Sequence, residues 1–296
     1  MSMTETHIDE PERARGQAIP AYTLARPVGE LMPVIFASPH SGRHYPEAFL
    51  DTLRVPLIDL RQTEDAFVDR LFETAPHAGA HLLSANYARS YIDLNRDSRE
   101  LDVSMFAGDP PGPVAIPSVR VEAGLGCIPR IGARGEGIYA KKISTEDGLF
   151  RLQHVHGPYH QALSAEIAAL HQQFGSAILI DCHSMPSSQP GRPALPDFVL
   201  GDRFGSSCTG QLTGLVERSL RAMGYSTARN APYAGGYTTR RYGRPKRNIH
   251  VLQIEINRAL YLDEATVEPS EGMTRLAENL GVLMAEIARF AKLLAP

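Results

Sequence analysis

The sequence has few cysteines, no long apolar run and almost no excess of charge. Its three cysteines, Cys127, Cys182 and Cys208, form neither a CxxC pair nor an even set. This argues against a disulfide-stapled secreted domain and favours reduced thiols in the cytoplasm. No apolar stretch approaches the length of a membrane span. A net charge of -3 argues against a nucleic-acid-binding surface.

Two catalytic motifs are also missing. No Gly-x-Ser-x-Gly elbow occurs, which argues against a nucleophilic serine hydrolase. Cys182 adjoins His183, but neighbouring side chains on an extended chain point apart, so a cysteine–histidine nucleophile is not expected. The glycine-rich residues 134–137 lack the Lys-Ser/Thr ending of a phosphate-binding loop.

What is present is the composition of an ordinary globular protein, with 43% hydrophobic and 21% charged residues. The first fifteen residues are polar and lack the apolar core of a signal peptide, so we expect residues 1–18 to be a partly disordered leader. Residues 19–296 are expected to form one domain. Within it, residues 108–137 are rich in Gly and Pro and show no helical period. A loop of that length is usually functional, which predicts an active-site loop.

Two apolar runs each lead into a histidine. Residues 33–37 and 176–180 are typical of strands buried on both faces. His40 follows the first run in a Ser/Gly/Pro turn, and His183 follows the second on a predicted loop, because Pro186 prevents a helix there. Ligands of open α/β sheets bind beyond the carboxyl ends of such strands. The two histidines are therefore predicted to share a metal or catalytic site.

Carboxylates that can join them lie in two places. Glu64 and Asp65 fall in the first turn of a helix predicted to begin at Thr63, where they either cap the helix or bind a metal. Glu255 stands among apolar residues near the end of a predicted strand, 249–256. A buried charge is costly unless it is paired. General base or metal neighbour is therefore the leading interpretation of Glu255, ahead of a structural ion pair.

Polar residues also surround a third predicted strand, 90–94. Arg89 precedes it, and Asn95 and Arg96 follow it. This cluster is either a surface turn or an anion clamp, since a guanidinium fork matches a carboxylate.

Two further segments carry candidate polar groups. Residues 144–174 are predicted to be helical and to divide into two helices at Gly157 and Pro158. His156 and His160 lie four apart in this region, and lining the site is favoured over binding a metal. Residues 234–243 are predicted to form a flexible loop that carries hydroxyls and arginines.

Four short motifs occur in one order: Ser-Pro-His-Ser-Gly at 38–42, Tyr-Ile-Asp-Leu-Asn-Arg at 91–96, Asp-Cys-His-Ser-Met at 181–185 and Gln-Ile-Glu-Ile-Asn-Arg at 253–258. Together they resemble the N-formylglutamate amidohydrolase family, over about residues 33–262. The resemblance implies an α/β fold of three layers, α/β/α, with a mixed central sheet like that of zinc-dependent exopeptidases. It also implies hydrolysis of N-formyl-L-glutamate to formate and glutamate in histidine breakdown.

The resemblance further implies a metal site and a base. One zinc ion per chain would be held by His40, His183 and an acid, with Asp65 the better match and Glu64 the alternative. Glu255 would act as the base. Two imidazoles and one carboxylate leave an open fourth position, as catalytic zinc requires.

The implied substrate is a small acidic N-acyl amino acid, with neither nucleic acid nor membrane as a partner. The Asn95–Arg96 pair resembles the carboxylate-binding pair of carboxypeptidases. Other residues predicted to contact substrate are Arg89, Ser184, Tyr237, Thr238, Arg240 and Arg258. Two alternatives stay open: a zinc amidase or carboxypeptidase that acts on another N-acyl amino acid or peptide, and a metal-binding protein of the same fold without this activity.

Overall fold

The computed structural model describes residues 19–188 and 194–294, so the predicted leader, 1–18, lies outside the described residues. The central sheet is built from β1 (Tyr22–Ala25), β2 (Val34–Ser38), β3 (His81–Ala85), β4 (Ala177–Met185), β5 (Phe198–Gly201), β6 (Thr227–Arg229) and β7 (Ile249–Asn257). Their spatial order is β1-β3-β2-β4-β7-β5-β6. A separate ribbon pairs β8 (Leu262–Asp263) with β9 (Glu268–Pro269).

The sheet is mixed. Strands β3, β2, β4 and β7 run parallel at its centre, whereas β1 and β5 pair antiparallel with β3 and β7. Strands β2 and β4 are buried along their whole length. Burial on both faces explains why their sequences are continuous apolar runs rather than alternating ones.

Helices cover both faces of the sheet. They are α1 (Glu47–Leu50), α2 (Leu57–Arg61), α3 (Val68–Leu71), α4 (Val119–Glu122), α5 (Thr145–Arg151), α6 (Gly157–Phe174), α7 (Gly210–Ala222), α8 (Tyr237–Tyr242) and α9 (Gly272–Leu293). One core packs α3, α7 and α9 against side chains such as Phe36 and Ile180. The other packs α6 against side chains such as Ile35 and Leu179. The predicted three-layer α/β/α fold with a mixed sheet is therefore confirmed.

The sheet corrects two of the sequence predictions. His183 lies inside β4, not on a loop, because pairing with β7 continues to Met185, and Pro186 then ends the strand. Residues 90–94 form a turn rather than a strand. The apolar residues of this segment, Tyr91, Ile92 and Leu94, are all buried on the α6 side of the sheet.

The helices correct three more predictions. The helix expected at Thr63 begins only at Val68, because Phe67 has a left-handed backbone, with φ 61°, that interrupts it. Residues 145–174 do not break at Gly157, since a π-helical turn, Leu152–His156, joins α5 to α6 there. The segment predicted as a flexible loop contains α8, with Tyr237, Thr238 and Tyr242 buried.

The long Gly/Pro-rich segment 108–137 is irregular apart from α4, as its sequence predicts. Backbone hydrogen bonds still order it, for example from Cys127 N to Glu100 O at 2.7 Å. Its role as an active-site loop within a single domain, 19–296, remains a prediction. No helix within residues 19–188 and 194–294 is long and apolar enough to cross a membrane.

Candidate active site

A cavity of about 590 Å³ opens at the carboxyl ends of β2, β4 and β7. His40 reaches it from the turn after β2, while His183 and Glu255 reach it from β4 and β7. Residues 120–135 of the Gly/Pro-rich segment supply part of one wall. The parallel strands thus deliver the predicted polar side chains to one place, as the ligand rule for open α/β sheets expects.

The turn after β2 is tight because the chain passes close to the backbone of Tyr87. A Cβ atom on Gly42 would lie 2.1 Å from the Tyr87 carbonyl oxygen, so only glycine fits there. The hydroxyls of Ser38 and Ser41 bond to each other at 2.9 Å inside the same turn. The Ser-Pro-His-Ser-Gly motif therefore holds His40 in place through close backbone packing.

Asp65 joins the two histidines. Its Oδ2 atom lies 3.2 Å from Nδ1 of His40 and 2.9 Å from Nδ1 of His183. One ligand atom from each residue can be chosen so that all three lie within 4.8 Å, and all three residues are buried. The Asp65 backbone N–H bonds to the His40 carbonyl at 3.0 Å, which sets its position. These are the donor types and the convergence that a divalent metal requires.

A carboxylate lies behind each imidazole. Nε2 of His40 donates to Oδ1 of Asp93 at 2.7 Å. Nε2 of His183 lies 3.1 Å from Oδ2 of Asp181, which is completely buried. The hydrogen bond to Asp93 places the proton of His40 on Nε2 and leaves Nδ1 to face Asp65, while Asp181 supplies a negative charge beside His183.

The charges also favour a cation at the centre. Burial opposes the charged form of His183, but Asp181 and Asp65 outweigh it and raise its pKa well above the usual range. Burial likewise opposes the charged form of Asp65, yet hydrogen bonds from His183 and His40 hold its pKa well below the usual range. An ionised carboxylate beside an imidazole that readily binds a proton suits a divalent cation in place of that proton.

Glu255 stands beside His183, because β4 and β7 pair these two residues in register. Its Oε1 atom accepts a hydrogen bond from the Gln253 side chain at 2.8 Å, and Gln253 in turn accepts one from Gly236 N at 2.8 Å. Burial raises the pKa of Glu255 to about 8, which the positive charge of His183 opposes. A carboxyl group of this pKa can take up and release a proton near neutral pH.

Asp65, rather than Glu64, faces the two histidines. The Glu64 carboxylate accepts a hydrogen bond from the Tyr45 hydroxyl at 2.5 Å. Burial raises its pKa to about 7. The carboxylate of Asp65, in contrast, bonds to both histidines.

Two of the predicted substrate-binding arginines are occupied by carboxylates of the site. Arg89 donates to Asp93 at 2.9 Å and lies 3.7 Å from Asp65. Arg258 donates to Asp65 at 3.2 Å and to the Ser184 hydroxyl at 3.1 Å. Both line the cavity, but their charges are already balanced.

Asn95 and Arg96 also line the cavity. Nδ2 of Asn95 lies 3.1 Å from Nε2 of His183, and its Oδ1 accepts from Thr238 N at 2.8 Å. The Arg96 guanidinium donates to backbone carbonyls, including that of Leu125 at 3.0 Å.

Tyr237, Thr238 and Arg240 do not line this cavity. Thr238 holds Asn95 from behind, whereas Tyr237 and Arg240 face a neighbouring open cavity of about 1060 Å³. His156 and His160 bond at 3.0 and 2.9 Å to carbonyls of the segment that carries Asn95. They support that segment and form no hydrogen bond with His40, Asp65 or His183.

The model of the N-formylglutamate amidohydrolase family matches residues 32–262. The chain belongs to this family. It is 32% identical over 263 residues to an N-formylglutamate deformylase of Pseudomonas putida, which covers 86% of this chain and 91% of that protein. A second N-formylglutamate deformylase, of Pseudomonas aeruginosa, is 32% identical over 248 residues and covers 79% and 83%. The crystal structure of N-formylglutamate amidohydrolase from Ralstonia eutropha JMP134 superposes with a TM-score of 0.87 at 39% identity, covering 93% of this chain and 99% of that one.

Family membership confirms the resemblance that the four motifs indicate, yet three residues of the site went unnoticed in the sequence. Asp93 and Asp181 lie within the motifs, and Gln253 precedes Glu255 by two positions. Residues two apart on a strand share a face, so Asp181 had to accompany His183, and Gln253 had to accompany Glu255. That alternation was the available signal.

Proposed function

We propose that this chain is a zinc-dependent amidohydrolase that converts N-formyl-L-glutamate to formate and L-glutamate, a step of histidine degradation. The observation that carries the proposal is the convergence of two buried imidazole Nδ1 atoms on one Asp65 oxygen, beside the buried Glu255. The relatives named N-formylglutamate deformylase support the choice of substrate.

His40, Asp65 and His183 would hold the metal. Nitrogen and oxygen donors suit zinc, and three protein ligands leave a position open. Zinc, when bound, supplies a water of lowered pKa and polarises the formyl oxygen. Asp93 orients His40 through its hydrogen bond to Nε2, and the charge of Asp181 lies beside His183.

The chain's own groups handle the protons and the substrate. Glu255 takes a proton from the attacking water and passes it to the leaving nitrogen as the C–N bond breaks. Gln253 holds the Glu255 carboxyl through its 2.8 Å hydrogen bond. Arg96, whose guanidinium binds only carbonyls within the described chain, receives a substrate carboxylate.

The three cysteine thiols support a location in the cytoplasm. Cys127, Cys182 and Cys208 are all free and buried, as expected of a protein of the reducing cytoplasm. We therefore retain the cytoplasmic assignment as part of the proposal.

The test is formate release from N-formyl-L-glutamate by the purified protein, before and after treatment with a chelator. We expect release that the chelator abolishes and added zinc restores. His183→Ala should lose bound zinc and turnover together, whereas His154→Ala, which alters an exposed histidine, should keep both. Full zinc occupancy in His183→Ala would contradict the metal site. Absence of formate with zinc retained would move the substrate to another N-acyl amino acid or peptide.

A further inference from the structure

Four arginines line the main cavity: Arg89, Arg96, Arg120 and Arg258. Arg89 and Arg258 are neutralised by the carboxylates of the site, as described above. Arg96 and Arg120 form no ion pair with any residue of 19–188 or 194–294. Neither guanidinium has a carboxylate of the described chain within ion-pair distance, so both can pair with a ligand, which suits a ligand with two negative charges.

Arg120 is positioned by the one-turn helix α4. The Ser118 hydroxyl caps this turn, accepting from Val121 N at 3.4 Å and donating to Glu100 at 3.2 Å. Although α4 belongs to the irregular segment, the residue that carries the guanidinium is thus fixed to the body of the protein.

Leu125 connects Arg96 and Arg120. Its N–H donates to the Arg120 carbonyl at 2.7 Å, and its own carbonyl accepts from Arg96 Nε at 3.0 Å. Leu125 therefore links the backbone of Arg120 to the guanidinium of Arg96. A backbone already held in this way loses less conformational entropy when a ligand with two carboxylates binds.

The surroundings of Arg120 oppose the positive charge of its guanidinium. Its side chain is exposed at the cavity mouth, yet partial desolvation lowers its pKa, and the nearby charges of Arg96 and Arg240 lower it further. Glu100 and Asp93 oppose this effect, but Glu100 also lies 3.7 Å from Arg240, and Asp93 is bonded to His40 and Arg89. A bound carboxylate would relieve the repulsion among these cations.

We propose that Arg120 is a specificity-determining residue that binds the side-chain carboxylate of an acidic N-formyl amino acid, while Arg96 binds the α-carboxylate. This inference rests on the proposed function. The assignment of the two carboxylates follows from depth and chemistry. Arg96 adjoins Asn95, which lies 3.1 Å from His183, and the α-carboxylate is the one nearer the scissile amide. Arg120 lies at the mouth and also lines the neighbouring cavity, where the longer arm of the substrate ends.

The test compares kcat/KM for N-formyl-L-glutamate with kcat/KM for N-formyl-L-glutamine, which has the same shape without the second charge. In Arg120→Gln the ratio of the two should fall by about 10- to 100-fold, since hydrogen bonds between charged groups are the strong ones. The loss should appear chiefly in KM for N-formyl-L-glutamate. Arg120→Lys should give an intermediate ratio.

Arg134→Gln is the matched control. Arg134 lies in the same segment, is exposed, and pairs with Asp59 at 3.6 Å without lining the cavity. It removes the same charge and should leave the ratio unchanged. An unchanged ratio in Arg120→Gln, or an equal fall in Arg134→Gln, would overturn the assignment of Arg120.

A binding measurement separates failure of this inference from failure of the proposed function. Calorimetry would compare glutarate, a dianion, with butyrate, a monoanion, on the zinc-loaded wild type and on Arg120→Gln. We expect the wild type to prefer glutarate and Arg120→Gln to lose that preference. A wild type that releases no formate but shows this pattern would refute the proposed reaction alone, whereas equal preference in both proteins would refute the role of Arg120.

Discussion

The replacement Asp93→Asn tests the carboxylate behind His40. Asp93 accepts three hydrogen bonds: from His40 Nε2 at 2.7 Å, from Asn95 N at 2.8 Å and from Arg89 at 2.9 Å. An asparagine oxygen can still serve the first two, which share Oδ1. Its amide nitrogen, however, would replace Oδ2 and face the Arg89 guanidinium, donor against donor. The change therefore removes one charge and one acceptor with almost no change in shape.

Removal of an outer carboxylate typically weakens metal binding about 10- to 100-fold, or about 1.4–2.7 kcal/mol. We expect Asp93→Asn to fall in the upper half of this range, because the loss also leaves Arg89 without its nearest partner. The assay is zinc competition against a chromophoric chelator, with thermal unfolding measured on the same samples. Asp102→Asn is the control, since Asp102 also pairs with an arginine, Arg130 at 2.8 Å, but does not line the cavity. Equal zinc affinity in wild type and Asp93→Asn would refute the reasoning.

Three further changes follow from the structure. Glu255→Gln should lower kcat by about 10²- to 10⁴-fold. Its zinc content, measured by atomic absorption, should stay at the wild-type level. Turnover at the wild-type rate would show that Glu255 is not the base. Gly42→Ala should destabilise the protein by about 1–3 kcal/mol or more in a thermal melt, because the new Cβ would lie 2.1 Å from the Tyr87 carbonyl oxygen. Gly112→Ala is the control and should be neutral, since no atom lies within 4 Å of its new Cβ. Burial holds the pKa of His160 well below its usual range, so the unfolded chain binds its proton first and stability falls as the pH drops below about 6.5. Between pH 7.5 and 5.5 this group therefore lowers the free energy of unfolding measured with denaturant. His160→Gln should lose part of this pH dependence, and the same loss in the variant as in the wild type would contradict the assignment.

The sequence predicted the parallel strands well, because burial on both faces leaves a continuous apolar run that few other structures require. It therefore placed His40, His183 and Glu255 at one edge of the sheet. Strand ends were less certain, since pairing between β4 and β7 carries His183 within the strand, and no local pattern encodes that partner.

Local sequence patterns gave a wrong helix start where one residue adopts a left-handed backbone conformation. Thr63 followed by two acids has the pattern of a helix start, but Phe67 adopts φ 61° and delays the helix to Val68. Of the two acids, Asp65 bonds to His183 and Glu64 bonds to Tyr45. The choice between the two acids was therefore beyond a reading of propensities, because packing, not sequence preference, sets that conformation.

The arginines show a different limit. Arg89 and Arg258 are cations near the motifs, but Arg89 pairs with the nearby Asp93 and with Asp65, and Arg258 pairs with Asp65, which is remote in sequence. The sequence does not say which carboxylates reach a given guanidinium, so only the fold could separate these two arginines from Arg96 and Arg120.

The pairing of His183 with Glu255 on adjacent parallel strands has a consequence for how such an enzyme can diverge. The spacing of neighbouring strands is set by backbone hydrogen bonding at about 4.8 Å and hardly varies. The distance between His183, the proposed metal ligand, and Glu255, the proposed base, is therefore protected from changes elsewhere in the chain. Arg120, in contrast, is carried by an irregular segment that can lengthen, shorten or exchange its charge without disturbing the sheet. Reaction chemistry and choice of substrate can thus be altered independently, and a library confined to residues 108–137 is the place to seek new acyl amino acid substrates.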